Sequence, residues 1–196
     1  MENSPSIIST EQKIIQATIE CIELYGLSKT TNRRIAAMAE VNIAAINYYF
    51  RSKQNLLDQV MSITLDNAFD WGDLYKLPSI TPLQWCIEIF VYLSLEACNY
   101  PGLTRAHLYD TIINGNYESL GSQRMMAFMN RLAQELVEHG IDKESSEVEL
   151  AISQIGAAFI TAIMIPHFFK EGFNIDLTNE THVRKYFTSL VTKLLG

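Results

Sequence analysis

Glycine and proline, the residues that most often interrupt regular secondary structure, are scarce in this sequence. Only nine glycines and five prolines are distributed over 196 residues. The stretches between them repeat apolar residues at helical spacing, and no stretch has the clear apolar–polar alternation of a β-strand. The sequence therefore predicts an all-α fold. Charged residues make up 19% and hydrophobic residues 48% of the chain, which indicates a folded protein rather than a disordered one.

Cysteine is equally rare, and the motifs of common enzymes are missing. Cys21, Cys86 and Cys98 form no CxxC pair and have apolar neighbours, which predicts reduced core residues in a cytoplasmic protein. The sequence has no nucleophile elbow, glycine-rich phosphate loop, HExxH motif or cluster of histidine and cysteine. Its N-terminal residues have no secretory signal pattern. We therefore expect no enzyme activity, no cofactor and no metal site.

Long uncharged runs are also missing, with one exception. Residues 150–169 contain no Asp, Glu, Lys or Arg and are long enough to cross a bilayer. The run includes Ser153, Gln154, Thr161 and Pro166, and acidic residues lead into it. We therefore predict a helix of the protein core, rather than a membrane span, and no membrane partner.

The net charge of −7 is distributed unevenly along the chain. Residues 1–55 contain six Lys/Arg and five Asp/Glu, whereas residues 56–196 contain nine and seventeen. Within residues 29–53, five cations accompany a single acid, Glu40. A local excess of cations is typical of a nucleic-acid surface, whereas DNA would repel the acidic remainder of the chain.

The first helix is predicted to begin at Ser9, which forms a capping-box pattern with Gln12, and to end near Gly26 in a left-handed cap. Its predicted core-facing stripe consists of Ile15, Ile19 and Ile22, widened by Ile14, Cys21 and Tyr25.

Residues 31–53 are predicted to form two short helices, a tight turn between them and the start of a further helix. Thr31, Asn42 and Ser52 are N-cap residues directly before helical runs. One face has apolar residues spaced for a small core, namely Ile35, Met38, Ala39, Val41, Ile46 and Phe50. The other face offers hydrogen-bonding, cationic and aromatic side chains, which suit DNA: Arg33, Arg34, Asn47, Tyr48, Tyr49, Arg51 and Lys53.

A longer pattern, extending over residues 10–57, includes this stretch. It consists of Gly26, Thr30, Thr31, Ile35, Ala36, Ala39, Val41, Ile46, Tyr48, Tyr49, Phe50, Ser52, Lys53 and Leu56. The pattern resembles the N-terminal domain of tetracycline-repressor-type (TetR family) transcriptional regulators. The resemblance implies an all-helical homodimer that binds a palindromic operator and is released by a small ligand. It also implies DNA contacts at Thr31, Arg33, Ala44, Ala45, Asn47, Tyr48, Tyr49 and Lys53.

Two positions depart from the family's pattern. Glu40 stands in the turn where the family often has glycine, which leaves the conformation of the turn open. Asn47 stands where the family often has tyrosine, so the phosphate contact expected there is open and the sequence preference could differ. For Tyr48 and Tyr49, packing in the core is the alternative to DNA contact.

The rest of the chain is predicted to form a second helical domain. We place a three-helix helix-turn-helix domain at residues 1–51 and a ligand-binding and dimerisation domain at 52–196, with about nine helices in all. A helix near 82–99 is apolar nearly all round, which predicts a central position. Two partly apolar helices, near 147–169 and 180–195, predict an intersubunit four-helix bundle in a homodimer.

Aromatic and flexible side chains of this second domain are candidates for binding a small, largely apolar effector. The candidates are Trp71, Trp85, Ile89, Phe90, Tyr92, His107, Met125, Met126 and Met129. Simple core packing is the alternative for these residues. The leading hypothesis is a ligand-responsive transcriptional regulator, expected to repress, that binds palindromic double-stranded DNA. The alternative is a helical interaction module that does not bind DNA.

Overall fold

A computed structural model describes residues 9–78 and 81–196 of the chain. Within these two ranges all regular structure is helical, comprising eleven α-helices and one short 3-10 helix. The all-α prediction is therefore confirmed. The chain divides into two compact units, the first ending at Thr64 and the second beginning at Leu65. This division falls inside a helix, and the functional boundary predicted between residues 51 and 52 stays a prediction.

The first unit contains three helices and most of a fourth. These are α1 (Thr10–Tyr25), α2 (Asn32–Met38), α3 (Ile43–Phe50) and α4 (Lys53–Ala68), with the 3-10 helix Leu27–Lys29 between α1 and α2. Helix α4 continues past the division, so it belongs to both units.

Side-chain caps begin these helices where the sequence predicted them. Ser9 and Gln12 form the reciprocal capping box of α1. The Thr31 hydroxyl accepts a hydrogen bond from the backbone N–H of Arg34 at 3.3 Å, and the Asn42 side chain accepts from Ala44 at 2.8 Å. Each cap satisfies a backbone donor that the first turn of a helix would otherwise leave without an acceptor.

The core of the first unit is small and receives side chains from all four helices. It consists of Ile14, Ala17, Cys21, Ile22, Ile35, Ala36, Ala39, Ile46, Phe50, Leu56, Leu57 and Val60. The stripe predicted for α1 is therefore partly wrong, because Ile15 and Ile19 are only half-buried. Tyr25 is 44% exposed and does not widen the core. Gly26 has φ 78° and ψ 161°, so it ends α1 with a positive φ but outside the left-handed helical region that was predicted.

The second unit contains the end of α4 and seven further helices. These are α5 (Trp71–Leu74), α6 (Pro82–Asn99), α7 (Pro101–Asn114), α8 (Leu120–Glu138), α9 (Ser145–Met164), α10 (Pro166–Phe173) and α11 (Glu180–Leu195). The predicted total of about nine helices missed the two short ones, α5 and α10. Pro166 is the first residue of α10. Proline has no backbone N–H, and the first turn of a helix is where no intrahelical acceptor needs that N–H.

Helix α6 is the central helix of the second unit, as predicted from its apolar surface. It packs against α7, α8, α9 and α11. Of its two acids, Glu96 is exposed, whereas Glu88 is half-buried and pairs with Arg184 of α11 at 2.5 Å. The ion pair compensates the cost of burying the Glu88 carboxylate.

Helix α9 is long and apolar enough to cross a membrane by length and composition alone. Its inward side chains, which include Val148, Ile155 and Phe159, are buried in the core of the second unit. The ring of Phe159 lies 5.7 Å from that of Phe90 on α6. Core helices of folded proteins commonly pass the same composition test, and one side of α9 packs in such a core.

A partly buried histidine on α7 makes stability depend on pH. Burial lowers the pKa of His107 to about 4, so the folded protein holds this imidazole neutral. Because an unfolded histidine titrates near about 6.5, the unfolded chain binds the extra proton first as pH falls. The free energy of unfolding should decrease between about pH 6.5 and about pH 4, by up to about 3 kcal/mol. Urea unfolding at several pH values measures this decrease.

The variant His107→Gln separates this effect from the titration of carboxylates. Its unfolding free energy should depend less steeply on pH above about pH 5 than that of the parent. The matched control is His167→Gln, since His167 is exposed, and its profile should follow the parent's. Identical profiles for His107→Gln and the parent would contradict a neutral His107.

Candidate nucleic-acid interface

Helix α3 is held in place by two side chains on its inner face. Ile46 and Phe50 are fully buried and lie one turn apart. A helix of eight residues is too short to be stable alone in water. Its conformation therefore depends on this burial, on the Asn42 cap and on α4, where the Asn55 amide donates to the Phe50 carbonyl at 2.9 Å.

The outer face of α3 displays the side chains that the sequence assigned to DNA contact. Ala44 and Asn47 are exposed, and Ala45 is half-buried. Tyr48 is 76% and Tyr49 41% exposed, and their rings meet edge to face at 5.1 Å. Neither tyrosine packs in the core. The small alanines leave room for the α3 backbone to approach a surface closely, while Asn47 and the tyrosines provide hydrogen-bonding groups.

Cationic side chains flank this face. Arg33 is exposed on α2, and Lys53 is half-buried at the first position of α4. Among the ion pairs of residues 9–78 and 81–196, none includes Arg33, Arg51 or Lys53. Their charges are therefore not neutralised within the described protein, so the surface should attract an anion.

Two further exposed residues belong to this surface: Ile43, which the sequence did not predict there, and Arg51, which it placed on the DNA-suited face without assigning it a contact. Ile43 is 44% exposed and lies one turn before Asn47 on α3. Arg51 is exposed directly after α3 and has a φ of 67°. Ile43 could have been found from its position one helical turn before Asn47. The positive φ of Arg51 had no sequence signal, because the residue is not glycine.

In the turn between α2 and α3, Glu40 stands where the family often has glycine, and the turn requires a conformation that glycine adopts most easily. The Val41 N–H donates to the Ala36 carbonyl at 3.0 Å and the Glu40 N–H to the Ala37 carbonyl at 3.4 Å. This is the Schellman arrangement, in which the residue after the cap adopts a left-handed conformation. Glu40 has a φ of 55°, a region that glycine enters freely and other residues enter at a cost.

The candidate ligand residues of the second unit lie in different environments. Phe90 and Ile89 are fully buried, and the Phe90 ring stacks on Phe187 at 5.5 Å. Trp71 and Trp85 lie 6.3 Å apart, with the Arg131 guanidinium 4.2 Å above the Trp71 ring.

The methionines of α8 divide between its two sides. Met125 and Met129 are half-buried, whereas Met126 is 50% exposed. Tyr92 on α6 and His107 on α7 are half-buried. Met129 lies against Gly156 of α9, where its Cε would be 3.1 Å from an added Cβ. The structure therefore brings Met125, Met129 and His107 onto adjoining helices and places Met126 outside.

Replacement of Glu40 tests the strain in the turn. We expect Glu40→Gly to stabilise the protein by about 0.5–1 kcal/mol, since relief of the left-handed conformation exceeds the entropy cost of glycine. The control Glu40→Ala removes the same charge but keeps a Cβ, and it should give no gain. Thermal unfolding compares the three proteins, and equal stability of the glycine and alanine variants would contradict the assignment of strain.

Comparison with known proteins identifies the N-terminal region. Residues 14–60 match the family described as bacterial regulatory proteins, tetR family. The protein named probable HTH-type transcriptional regulator YttP of Bacillus subtilis is 40% identical over 55 residues, which are 28% of this chain and 27% of that protein. HTH-type transcriptional regulator BetI 1 of Chromohalobacter salexigens is 40% identical over 62 residues, or 32% and 29% of the two chains. Both similarities thus cover less than a third of the relatives.

Solved structures resemble the fold of nearly the whole chain. A transcriptional regulator from Rhodococcus sp. RHA1 has a TM-score of 0.70 and 12% identity, over 95% of this chain and 96% of that one. The fatty acid degradation regulator FadR from Bacillus halodurans has a TM-score of 0.68 and 17% identity, over 100% and 97%. A single-residue variant of TetR from Acinetobacter baumannii, in complex with minocycline, has a TM-score of 0.54 and 14% identity, over 92% and 93%.

The two kinds of similarity agree. The N-terminal match covers the helices that carry the exposed face of α3, and the structural match extends the same fold over the helices that follow. The N-terminal region of the chain, residues 14–60, thus matches the tetR family of bacterial regulatory proteins.

Proposed function

We propose that this protein is a cytoplasmic transcriptional repressor that binds a palindromic DNA operator as a homodimer and is released by a small, largely apolar effector. The observation that carries the proposal is the outer face of α3, where Asn47, Tyr48 and Tyr49 are exposed on a helix anchored by Ile46 and Phe50. Neither catalysis nor a cofactor is part of this proposal.

In the proposed complex α3 of each subunit enters the major groove. Ala44 and Ala45 permit close approach, Asn47 hydrogen-bonds to a base edge, and the exposed Ile43 contacts a thymine methyl group. The tyrosine hydroxyls, the Thr31 hydroxyl, Arg33 and Lys53 bind backbone phosphates, which fix the position of the helix. Two such helices would enter successive grooves about 34–36 Å apart.

Dimerisation is proposed to use α9 and α11, which pack against each other. Leu150, Ala157 and Thr161 form an exposed, uncharged stripe along α9. Thr188 and Thr192 are exposed on α11. Small uncharged side chains at helical spacing allow another pair of helices to approach closely, so two subunits would form a four-helix bundle with two-fold symmetry.

The effector is proposed to bind where α7, α8 and α9 adjoin, near His107, Met125 and Met129. Their partial burial and the neutral state of His107, whose pKa burial lowers to about 4, favour an apolar molecule with few charged groups. Because α4 is continuous across both units, it provides a covalent connection from this region to the DNA-binding helices. The effector can act only by binding the DNA-free conformation more tightly than the DNA-bound one.

Salt dependence tests DNA binding by the first unit. A labelled duplex of about 30 base pairs, selected by the wild-type protein from a randomised pool, accommodates two half-sites one turn apart. Its affinity should fall steeply with salt concentration, since bound phosphates release counterions. Arg33→Ala should lower the slope of log affinity against log salt by about one for each subunit that loses its contact.

The matched control is Arg105→Ala, because Arg105 is also an exposed arginine but lies on α7 of the second unit. Its salt slope should equal that of the wild type. Fluorescence anisotropy over a range of salt concentrations measures both slopes. Absence of binding at low salt, with the chain folded, would instead favour an interaction module that does not bind DNA.

A charge on the α9 stripe tests the dimer. Ala157→Glu should shift the protein from dimer to monomer in sedimentation velocity, since two-fold symmetry brings the introduced carboxylates into the interface of both subunits. The control Ala127→Glu makes the same change at an exposed position of α8 and should leave the dimer intact. A monomeric parent, or a dimer that tolerates both variants equally, would contradict the interface.

A further inference from the structure

Two neighbouring arginines of α2 differ in what they contact. The Arg34 guanidinium lies 4.5 Å above the centre of the Tyr25 ring, and its Nη1 donates to the Lys29 carbonyl at 2.7 Å. Arg33 and Arg34 are both exposed and neither takes part in an ion pair within the described chain, so the two differ in the contacts of Arg34 with Tyr25 and Lys29. The guanidinium of Arg34 thus contacts other residues of the protein, namely the Tyr25 ring and the Lys29 carbonyl.

The contacts of Arg34 close the connection between α1 and α2. Tyr25 is the last residue of α1, Lys29 is the last residue of the 3-10 helix, and Arg34 is in the first turn of α2. Gly26 lies between α1 and the 3-10 helix, and its φ of 78° and ψ of 161° end α1. The buried Thr30 hydroxyl also donates to the Gly26 carbonyl at 3.0 Å, so the short connection is held on its inner and outer sides.

Helices α1 and α2 also contact each other one turn away from the Tyr25–Arg34 contact. There the Cys21 thiol of α1 lies 3.8 Å from the sulfur of Met38 of α2. Residues 21 and 25 lie one turn apart on α1, and residues 34 and 38 lie one turn apart on α2. Burial raises the pKa of the Cys21 thiol, and the charge of Arg34 opposes that rise, in keeping with a guanidinium close to α1.

We propose that Arg34 is a positioning residue, and not a phosphate contact: together with Tyr25 it sets the orientation of α2 on α1 and thereby places Arg33 and Thr31 for DNA. This inference rests on the proposed DNA-binding function. It assigns different roles to two adjacent cations that carry equal charge. It also assigns a role in DNA binding to Tyr25, which would itself contact no nucleotide.

The test uses substitutions that remove the stack with and without a change of charge. Tyr25→Leu removes the aromatic ring and leaves all charges, whereas Tyr25→Phe keeps the ring and is the conservative control. Arg34→Gln removes the cation, and the double variant Tyr25→Leu/Arg34→Gln completes a double-mutant cycle. Affinity and salt slope are measured on the selected duplex, with circular dichroism recorded to verify folding.

We expect Tyr25→Leu and Arg34→Gln each to weaken binding roughly two- to fivefold, the range of an exposed cation–π contact. The double variant should bind no more weakly than Arg34→Gln alone, because both substitutions remove the same contact. All these variants should keep the wild-type salt slope, and Tyr25→Phe should bind as the wild type does. Only Arg33→Ala should lower the slope.

The inference is overturned if Arg34→Gln lowers the salt slope by about one, which is the result for a phosphate contact. It is also overturned if Tyr25→Leu leaves affinity unchanged, or if the two substitutions act additively. Failure of the proposed function gives a different result, since the wild-type protein would then select no sequence and bind no duplex at low salt.

Discussion

Burial of Ile46 and Phe50 is the constraint on which the exposed face of α3 depends. The helix has eight residues and is too short to be stable alone, so contacts with the rest of the first unit must keep it folded, and burial of these two side chains is the main one. Once these two side chains are buried, the helical period places Tyr48 on the opposite side of α3 and Asn47 and Tyr49 at its flanks, where all three are exposed. The same packing that stabilises α3 therefore selects the side chains available to a partner.

The distribution of charge complements this geometry. The chain has a net charge of −7, yet residues 29–53 contain five cations and one acid. An acidic body would weaken non-specific attraction to DNA, while the cations near α3 attract phosphate locally. Together, repulsion of DNA by the acidic residues and attraction by the cations favour DNA binding through the surface around α3. Within that surface, the contacts of Arg34 with Tyr25 and Lys29 separate a cation that shapes the protein from the cations that remain available.

The sequence was most informative where local chemistry determines the structure. The caps Ser9, Thr31 and Asn42 could be identified because each satisfies one backbone donor at a helix start. The central position of α6 followed from its lack of a polar face.

Contacts between helices were less accessible to sequence analysis. In α1, adjacent Ile14 and Ile15 left the register ambiguous, and the small residues Ala17 and Thr18, which complete the buried face, carry little hydrophobic signal. Likewise Tyr25 and Arg34 are nine positions apart, so their contact depends on the angle between two helices. The exposed position of Met126, on the same helix as the half-buried Met125 and Met129, reflects the same limit, because a shared residue type does not imply a shared environment.

The proposed function requires a dimer of this chain to insert two copies of α3 into one face of duplex DNA. Hydroxyl-radical footprinting of the purified protein on its selected duplex measures this arrangement. We expect two protected segments with two-fold symmetry, whose centres lie about 10–10.5 base pairs apart or a multiple of that distance. A single protected segment, or uniform cleavage at low salt with the protein folded, would contradict it.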